Sequence, residues 1–373
     1  MSTNDRIYAM ALAMTSGLSC RSCRNLIDLC PNPKDIFEMN HAELKDLFGK
    51  HEAIIEQIEQ RTMMAKAESE LLWAERYGIQ ILFCTDDQYP QRLNQPDCGD
   101  TPVILYQKGD CNLNHKRVIS VVGTRRATEY GKDMTQRLIG QLQGEDVLVV
   151  SGLAYGIDAE AHRASLHNGL PTIGVLGHGL DKIYPPENRS LAQEMIKQGG
   201  GLLTEYPSET RINPGLFPAR NRIIAALSDA TIVVEASEKG GALITAGIAG
   251  SYHRDVFAVP GRVFDSYSKG CNNLISNNRA VLLRSMDDLF YHLNWHKKND
   301  STKQPAGIQQ ELFTAMSQDE QKIISILQNH AGLTMEEMDA LCGLSLPKIA
   351  NALLNLELNN LIKCLPGKIY KSI

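Results

Sequence analysis

No stretch of this 373-residue chain approaches the roughly 18 consecutive apolar residues that a membrane span requires. The N-terminal "IYAMALAM" is short and is broken at Thr15-Ser16, so it reads as a buried helix and not as a signal peptide. Excess positive charge is missing too. With 38 Lys and Arg against 43 Asp and Glu, the formal net charge is −5, and any contact with nucleic acid must come from a local patch. The nine cysteines are odd in number and scattered, with no disulfide framework in their spacing, so reduced thiols and a cytoplasmic home are expected. Cys20-x-x-Cys23 lacks a second ligand pair at usable spacing, which leaves no metal site to expect. There is no G-x-x-x-x-G-K-[ST], which excludes a P-loop nucleotide hydrolase. Nor is there a G-x-S-x-G elbow or an acidic cluster suited to Mg²⁺ chemistry.

What is present is an ordinary globular composition, 43% hydrophobic and 22% charged, with room for two or three domains. Residues 1–74 read as helical, with amphipathic runs such as "AELKDLFGKHEAIIEQIEQ" and no strand signal. After Tyr77-Gly78 the character changes. "IQILFC" and "VILYQKG" read as strands around a Pro-rich loop. From Arg117 the chain then alternates strands and helices. The strands are "VISVVG", "DVLVVSG", "PTIGVLG", "GLLTEYP", "ATIVVEA", "DVFAVPG" and "AVLLRS". Nearly all are continuous apolar runs, as strands buried on both faces require. The expected fold is α/β, an extended Rossmann-like, doubly wound, mostly parallel sheet over residues 75–295. Residues 296–316 begin polar and contain Pro, as a linker would. From 317 to 373 the order is helix, helix, a "CGLS" turn, helix and a hairpin around "LPGK", the pattern of a winged helix-turn-helix.

In open α/β sheets ligands bind beyond the carboxyl ends of the strands, so the strand exits carry the functional information. Here they are "TRRATEYG", "LAYGIDAEAH", "HGLDKIYPPENR", "SETRINPGLFPARNR" and "SEKGGALITAG". Most combine Gly with Arg or Lys, and several open a helix, where backbone N–H groups and the helix dipole favour phosphate. Arg220 and Arg222 read as first-turn residues of a helix, a position that suits arginine only when an anion lies nearby. Each feature has a plainer reading. Arg125 and Arg126 fit a solvated turn, and the Arg220-Asn221-Arg222 group fits pairing with an acid such as Glu205. Tyr155 fits the core or a stacked base, and Asp158 fits its helix dipole. His162 and His178 have no metal-like spacing and read as structural. The first exit is not G-x-G-x-x-G, and the second strand ends in Ser151-Gly152 where a dinucleotide binder carries an acid for the ribose. A rim rich in phosphate-binding features remains, without an evident nucleophile, metal or cofactor.

The segments "VVGTRRATEYG", "SGLAYGIDAEAH", "GVLGHGLDKIYPPENR", "TEYP", "FPARNRIIAALSDATIVVEASEKGGALITA" and "VFAVPG…SKGCNNLI" resemble the DprA (Smf) family of DNA-processing proteins. The resemblance implies an extended Rossmann fold that binds single-stranded DNA, protects it and helps load the recombinase RecA in natural transformation. It also implies homodimers formed through that domain, and no catalysis. The binding positions it implies are Gly123, Thr124 and Arg125 in the first exit and Ser151, Gly152, Tyr155 and Gly156 in the second, with Lys182, Arg220, Asn221 and Arg222 completing a basic pocket. The first 74 residues resemble the family's sterile-alpha-motif or helix-hairpin-helix-like domain, although "TSGLSCRSC" offers one glycine at its hairpin. Pro186 stands where another basic residue is expected, and Asn278-Arg279 where Gly is common. In the tail, the would-be recognition helix "SLPKIANALLNLELNN" has only Lys348 and Glu357 as charges, few for a helix in a DNA groove. Two rival readings are a nucleotide-cleaving phosphoribohydrolase-like enzyme, with Glu235 or Glu238 acting on a ribose beside "EKGGALITAG", and a winged-helix transcription regulator.

Overall fold

The computed structural model describes residues 3–296, 317–328, 330, 332–358, 361–365 and 368–372. The chain divides into two compact units, residues 1–296 and 297–373. The linker expected up to residue 316 lies, from 297 onward, outside the described residues.

The first unit opens with six helices: α1 (Thr3–Met14), α2 (Cys20–Leu29), α3 (Pro33–Glu38), α4 (His41–Phe48), α5 (Glu52–Glu59) and α6 (Met64–Arg76). Local chemistry sets their ends. Ser19 caps α2 by accepting from the Ser22 N–H. Asn40 and Glu43 form a reciprocal capping box on α4, and Gly49 at positive φ then breaks the amphipathic run before α5. Tyr8 to Leu12 are buried, as the apolar run of α1 requires. The helices are fastened to the sheet by specific bonds. Arg6 pairs with Asp86 at 2.9 Å, Arg24 donates to the carbonyls of Thr101 and Pro102 at 3.0 Å, and buried Glu70 accepts from the Ser208 N–H and hydroxyl at 2.7 and 2.6 Å.

The sheet strands are β1 (Gln80–Phe83), β2 (Ile104–Lys108), β3 (Val118–Val122), β4 (Leu148–Ser151), β5 (Thr172–Val175), β6 (Gly201–Thr204), β7 (Ala230–Val233), β8 (Asp255–Ala258) and β9 (Val281–Leu282). Each falls within a run read from the sequence. Their spatial order is β1-β2-β6-β5-β4-β3-β7-β8-β9. The seven strands from β6 to β9 are parallel, and β2 and β1 close one edge antiparallel. Between them run α7 (Glu129–Gly140), α8 (Ile157–His167), α9 (Arg189–Lys197), α10 (Leu216–Leu227), α11 (Gly241–Ser251) and α12 (Lys269–Ser276), and α13 (Met286–His292) follows β9. Alternate residues of β3 serve different cores. Val118 and Val122 pack with Ile223 of α10 and Ala246 of α11, and Ile119 and Val121 pack with Leu138 of α7 and Ala161 of α8. This two-sided cover explains why the strands read as unbroken apolar runs. No described helix is long and apolar enough to cross a membrane.

The strand order reverses at β3. The chain leaves it through α7 to β4 on one side, and β7 pairs with it on the other. The exits of β3 and β7 therefore diverge around a crevice at the carboxyl edge.

The second unit contains α14 (Gln318–Gln328), β10 (Leu333–Thr334), α15 (Met335–Cys342), α16 (Leu346–Leu358), β11 (Ile362–Leu365) and β12 (Ile369–Ser372). The three strands form one antiparallel sheet in the order β10-β12-β11, the wing. Gly343 in the left-handed region ends α15 at the "CGLS" turn. On α16, Lys348 lies 3.9 Å from Asp319.

Candidate functional site

A cavity of about 410 Å³ occupies the crevice at the switch point. One wall is the exit of β3, Gly123 to Arg126. A second is the start of α10, with Phe217, Arg220 and Asn221. The third is the loop after β7 and the start of α11, with Ser237, Lys239, Gly240 and Gly241.

Two glycines let these loops meet. A Cβ on Gly123 would lie 2.5 Å from the Ile157 side chain. Gly156 has φ +76°, and a Cβ there would lie 2.2 Å from the Thr124 carbonyl oxygen. The turn is held by the Thr124 N–H donating to the Glu235 carbonyl at 2.8 Å and the Ile157 N–H donating to the Thr124 carbonyl at 3.2 Å. The Thr124 hydroxyl accepts from the Arg126 N–H at 3.1 Å. Arg125 and Arg126 are both exposed, and the Arg125 guanidinium lies over the Phe217 ring, 5.6 Å from its centroid. Across the cavity, α11 starts at Gly240 with no side-chain cap, so its N-terminal N–H groups and dipole favour an anion there. Exposed Lys239 precedes it.

The two arginines of α10 behave differently from the turn arginines and from each other. The helix begins at Leu216, so Arg220 and Arg222 stand in its second turn, one turn later than the sequence reading put them. Two residues apart on a helix is about 200° of rotation, so their side chains leave on opposite faces. Arg220 is 3% exposed and forms the cavity floor. It donates to the carbonyl of Gly152 at 2.7 Å and to that of Val175. The buried Asp158 carboxylate, which accepts from the Gly152 N–H at 3.1 Å, faces it. Burial lowers the Arg220 pKa to about 10 against the opposing pull of Asp158, which leaves the guanidinium charged at neutral pH. Burial likewise raises the Asp158 pKa, opposed by Arg220 and the backbone N–H groups. Arg222 turns away from the cavity. It makes a bidentate pair with Glu205 at 2.5 and 2.6 Å and donates to the Asp100 carbonyl at 3.0 Å. Burial works against its charge, yet the Glu205 carboxylate raises its pKa above the usual arginine value. The anions this helix called for are thus supplied by the protein itself.

The remaining sequence-selected residues are distributed as follows. Gly123, Thr124, Arg125, Arg220 and Asn221 line the cavity. Ser151 is fully buried, its hydroxyl donating to the Val121 carbonyl at 2.6 Å. Gly152 lies beneath the floor, where a Cβ would come within 2.6 Å of both Arg220 and Asp158. Tyr155 is 42% exposed outside the cavity and donates its hydroxyl to Glu187 at 2.6 Å. Lys182 is outside it too, 3.4 Å from Asp181. Among the wall residues outside the selected set are Phe217, Arg126 and Lys239. Phe217 reads as a core residue in sequence. Its signal was its position, second in a helix that opens on the rim. Lys239 precedes the two glycines that open α11, a signal equally visible.

Both singled-out histidines are structural. The Nδ1 of His162 lies 2.7 Å from the Thr172 hydroxyl, and burial, reinforced by the Arg220 charge, lowers its pKa to about 3. Neutral His178 donates from Nδ1 to the Gly179 carbonyl at 2.8 Å and accepts the Tyr184 N–H at Nε2, 3.2 Å away. Glu235, the candidate for ribose chemistry, is 2% exposed and engaged at the start of α7. It accepts from the Thr128 N–H at 3.0 Å and the Thr128 hydroxyl at 2.5 Å. Glu238 is exposed and does not line the cavity.

The sequence profile of the DNA recombination-mediator protein A family matches residues 80–294, and that of the DprA winged helix domain matches residues 300–368. The DNA processing protein DprA of Bacillus subtilis is 43% identical over 217 residues, which span 58% of this chain and 72% of that protein. A putative DNA processing protein DprA of Mycobacterium tuberculosis is 33% identical over 321 residues, 83% of this chain and 81% of the relative. Among solved structures, DprA from Streptococcus pneumoniae superposes with a TM-score of 0.67 at 33% identity, covering 76% of this chain and 97% of the other. DprA from Helicobacter pylori, whose structure was described for its single-stranded DNA binding mode, superposes with a TM-score of 0.53 at 31% identity, covering 59% and 98%.

Proposed function

The chain belongs to the DNA recombination-mediator protein A family, also called DprA or Smf, and on that premise we propose that it binds single-stranded DNA in the cavity at the switch point. One observation supports this reading above the others: an open concavity walled by exposed Arg125, Arg126 and Lys239, with charged Arg220 in its floor and the uncapped start of α11 opposite. Phosphates would sit against the exposed cations and the N–H groups of α11, and the glycine turns let the backbone approach. Selectivity for single strands follows from shape, since a base already paired in a duplex has no access to a recess of this size.

In this reading the protein protects incoming single strands and helps load RecA in natural transformation and recombination, working in the cytoplasm as a homodimer built through the sheet unit. It performs no bond chemistry of its own. Two subunits on one strand add avidity, because the second contact becomes intramolecular. The test is fluorescence anisotropy with single-stranded and duplex oligonucleotides of equal length at physiological salt. Binding at least tenfold tighter to the single strand supports the reading; equal or preferential binding to the duplex contradicts it.

A further inference from the structure

The second unit keeps its charges of opposite sign on separate elements, and from that separation we infer a surface for a second copy of this chain: the helix pair α15–α16 of one copy docks on the wing of the next. The contact uses neither the cavity nor the sheet, so it stands whether or not the cavity holds a strand.

The helix pair is acidic and apolar. Glu336, Glu337 and Asp339 are exposed on α15, and Glu357 is exposed on α16. The pair has one base, Lys348, and it is turned to α14, 3.9 Å from Asp319. Asn355 turns the same way and donates to Glu320 at 2.9 Å. Leu346, Ala350 and Leu354 recur every fourth residue along another side of α16, and all three are exposed. Leu341, 52% exposed, lies just before the turn between the helices. A single exposed leucine is ordinary, but a row of them on a helix fits a partner surface. A nucleic-acid backbone would meet carboxylates here, so this face suits a protein.

The wing has the opposite charge. From Leu361 to the last residue the chain carries Lys363, Lys368 and Lys371 and no acid. Lys363 and Lys371 stand directly opposite each other across β11 and β12. They alternate with Ile362 and Tyr370, which pack in the core of this unit, so the lysines occupy the sheet face turned away from the helices. Like charges placed opposite each other cost stability, and an acid laid over them removes that cost. Ile369 shares their face and gives it an apolar centre.

The two surfaces are therefore complementary, and every copy carries both. Because the wing lysines face away from the helices, one contact leaves a helix pair free at one end and a wing free at the other, and copies add in an open row. Exposed ion pairs are individually weak, so the row grows only where copies are concentrated.

The test is sedimentation velocity of the full chain without DNA, over a concentration series at about 0.1 M and about 1 M salt, between which the Debye length falls from about 10 to about 3 Å. At the lower salt the weight-average sedimentation coefficient of wild type should rise with concentration without a plateau; at the higher salt it should level off. Lys363→Glu with Lys371→Glu should abolish the rise, and so should Glu336→Lys with Asp339→Lys. All four changes in one chain exchange the charges of the two surfaces and should restore it. The inference falls if wild type levels off at both salts, if either double variant rises as wild type does, or if the fourfold exchange stays level. A fourfold variant that stays level, with the lysine double variant binding oligo-dT more weakly, would assign the wing to nucleic acid instead. Each of these outcomes leaves the cavity reading standing.

Discussion

The turn after β3 and the helix α10 each carry two arginines near the rim, with opposite outcomes. Arg125 and Arg126 sit on a short turn with no acid paired to them in the wall, and they remain exposed. Arg220, buried, and Arg222, half-buried, sit on a helix and meet Asp158 and Glu205. The contrast separates two uses of one side chain. A cation available to a ligand must keep its charge uncompensated and its head wet. A cation that shapes a loop is saturated by carbonyls and carboxylates from its own chain. Removing the second kind leaves a buried carboxylate behind, whereas removing the first leaves only water.

The largest expected effect follows directly. Arg220→Met strands the Asp158 carboxylate and two carbonyls, and should destabilise the first unit by about 3–5 kcal/mol in urea unfolding. Adding Asp158→Asn should recover part of that loss, because the unpaired charge is gone. If Arg220→Met unfolds like wild type, the division between structural and ligand-facing arginines fails.

His162 sharpens the same comparison at moderate size. Its folded pKa is depressed to about 3 from an ordinary 6.5, so the unfolded chain takes up the proton first as pH falls. Its contribution to stability is therefore complete above pH 6.5 and is lost as pH drops towards 3, with a limiting slope of about 1.4 kcal/mol per pH unit. Unfolding measured at pH 7 and pH 5 should show this loss in wild type and less of it in His162→Gln. Equal losses in both would remove His162 from the account.

The smallest effect is expected at Lys182. It lies outside the cavity and beside Asp181, so Lys182→Ala should change single-strand affinity less than threefold. A loss as large as that of the turn arginines would move the cationic surface outward.

Most of the fold was legible because its signals are local. Continuous apolar runs marked nearly every parallel strand of the main sheet, and polar or glycine-rich punctuation marked their exits. The rim position was legible as well, since topology alone assigns ligands to the carboxyl ends. What could not be read was which arginines keep their charge free. That depends on Glu205, 17 residues from Arg222, and on Asp158, which reaches Arg220 only when the exit of β4 folds beneath α10. Helical geometry alone did hold one usable signal, for an Arg-x-Arg on a helix cannot send both side chains into one pocket. Phe217 was hidden for a related reason. An apolar residue near a helix start looks like core until the loops around it are in place.

The most direct test is the salt dependence of single-strand binding for wild type, for the Arg125→Ala, Arg126→Ala double variant and for Arg222→Ala. Each turn arginine that neutralises a phosphate adds about −0.7 to the slope of log K against log salt. The double variant should fold normally, bind at least tenfold more weakly and show a slope shallower by about 1.4, and folded Arg222→Ala should keep the wild-type slope. An unchanged slope in the double variant, or a reduced one in Arg222→Ala, would contradict the assignment of the cavity's exposed cations to the strand.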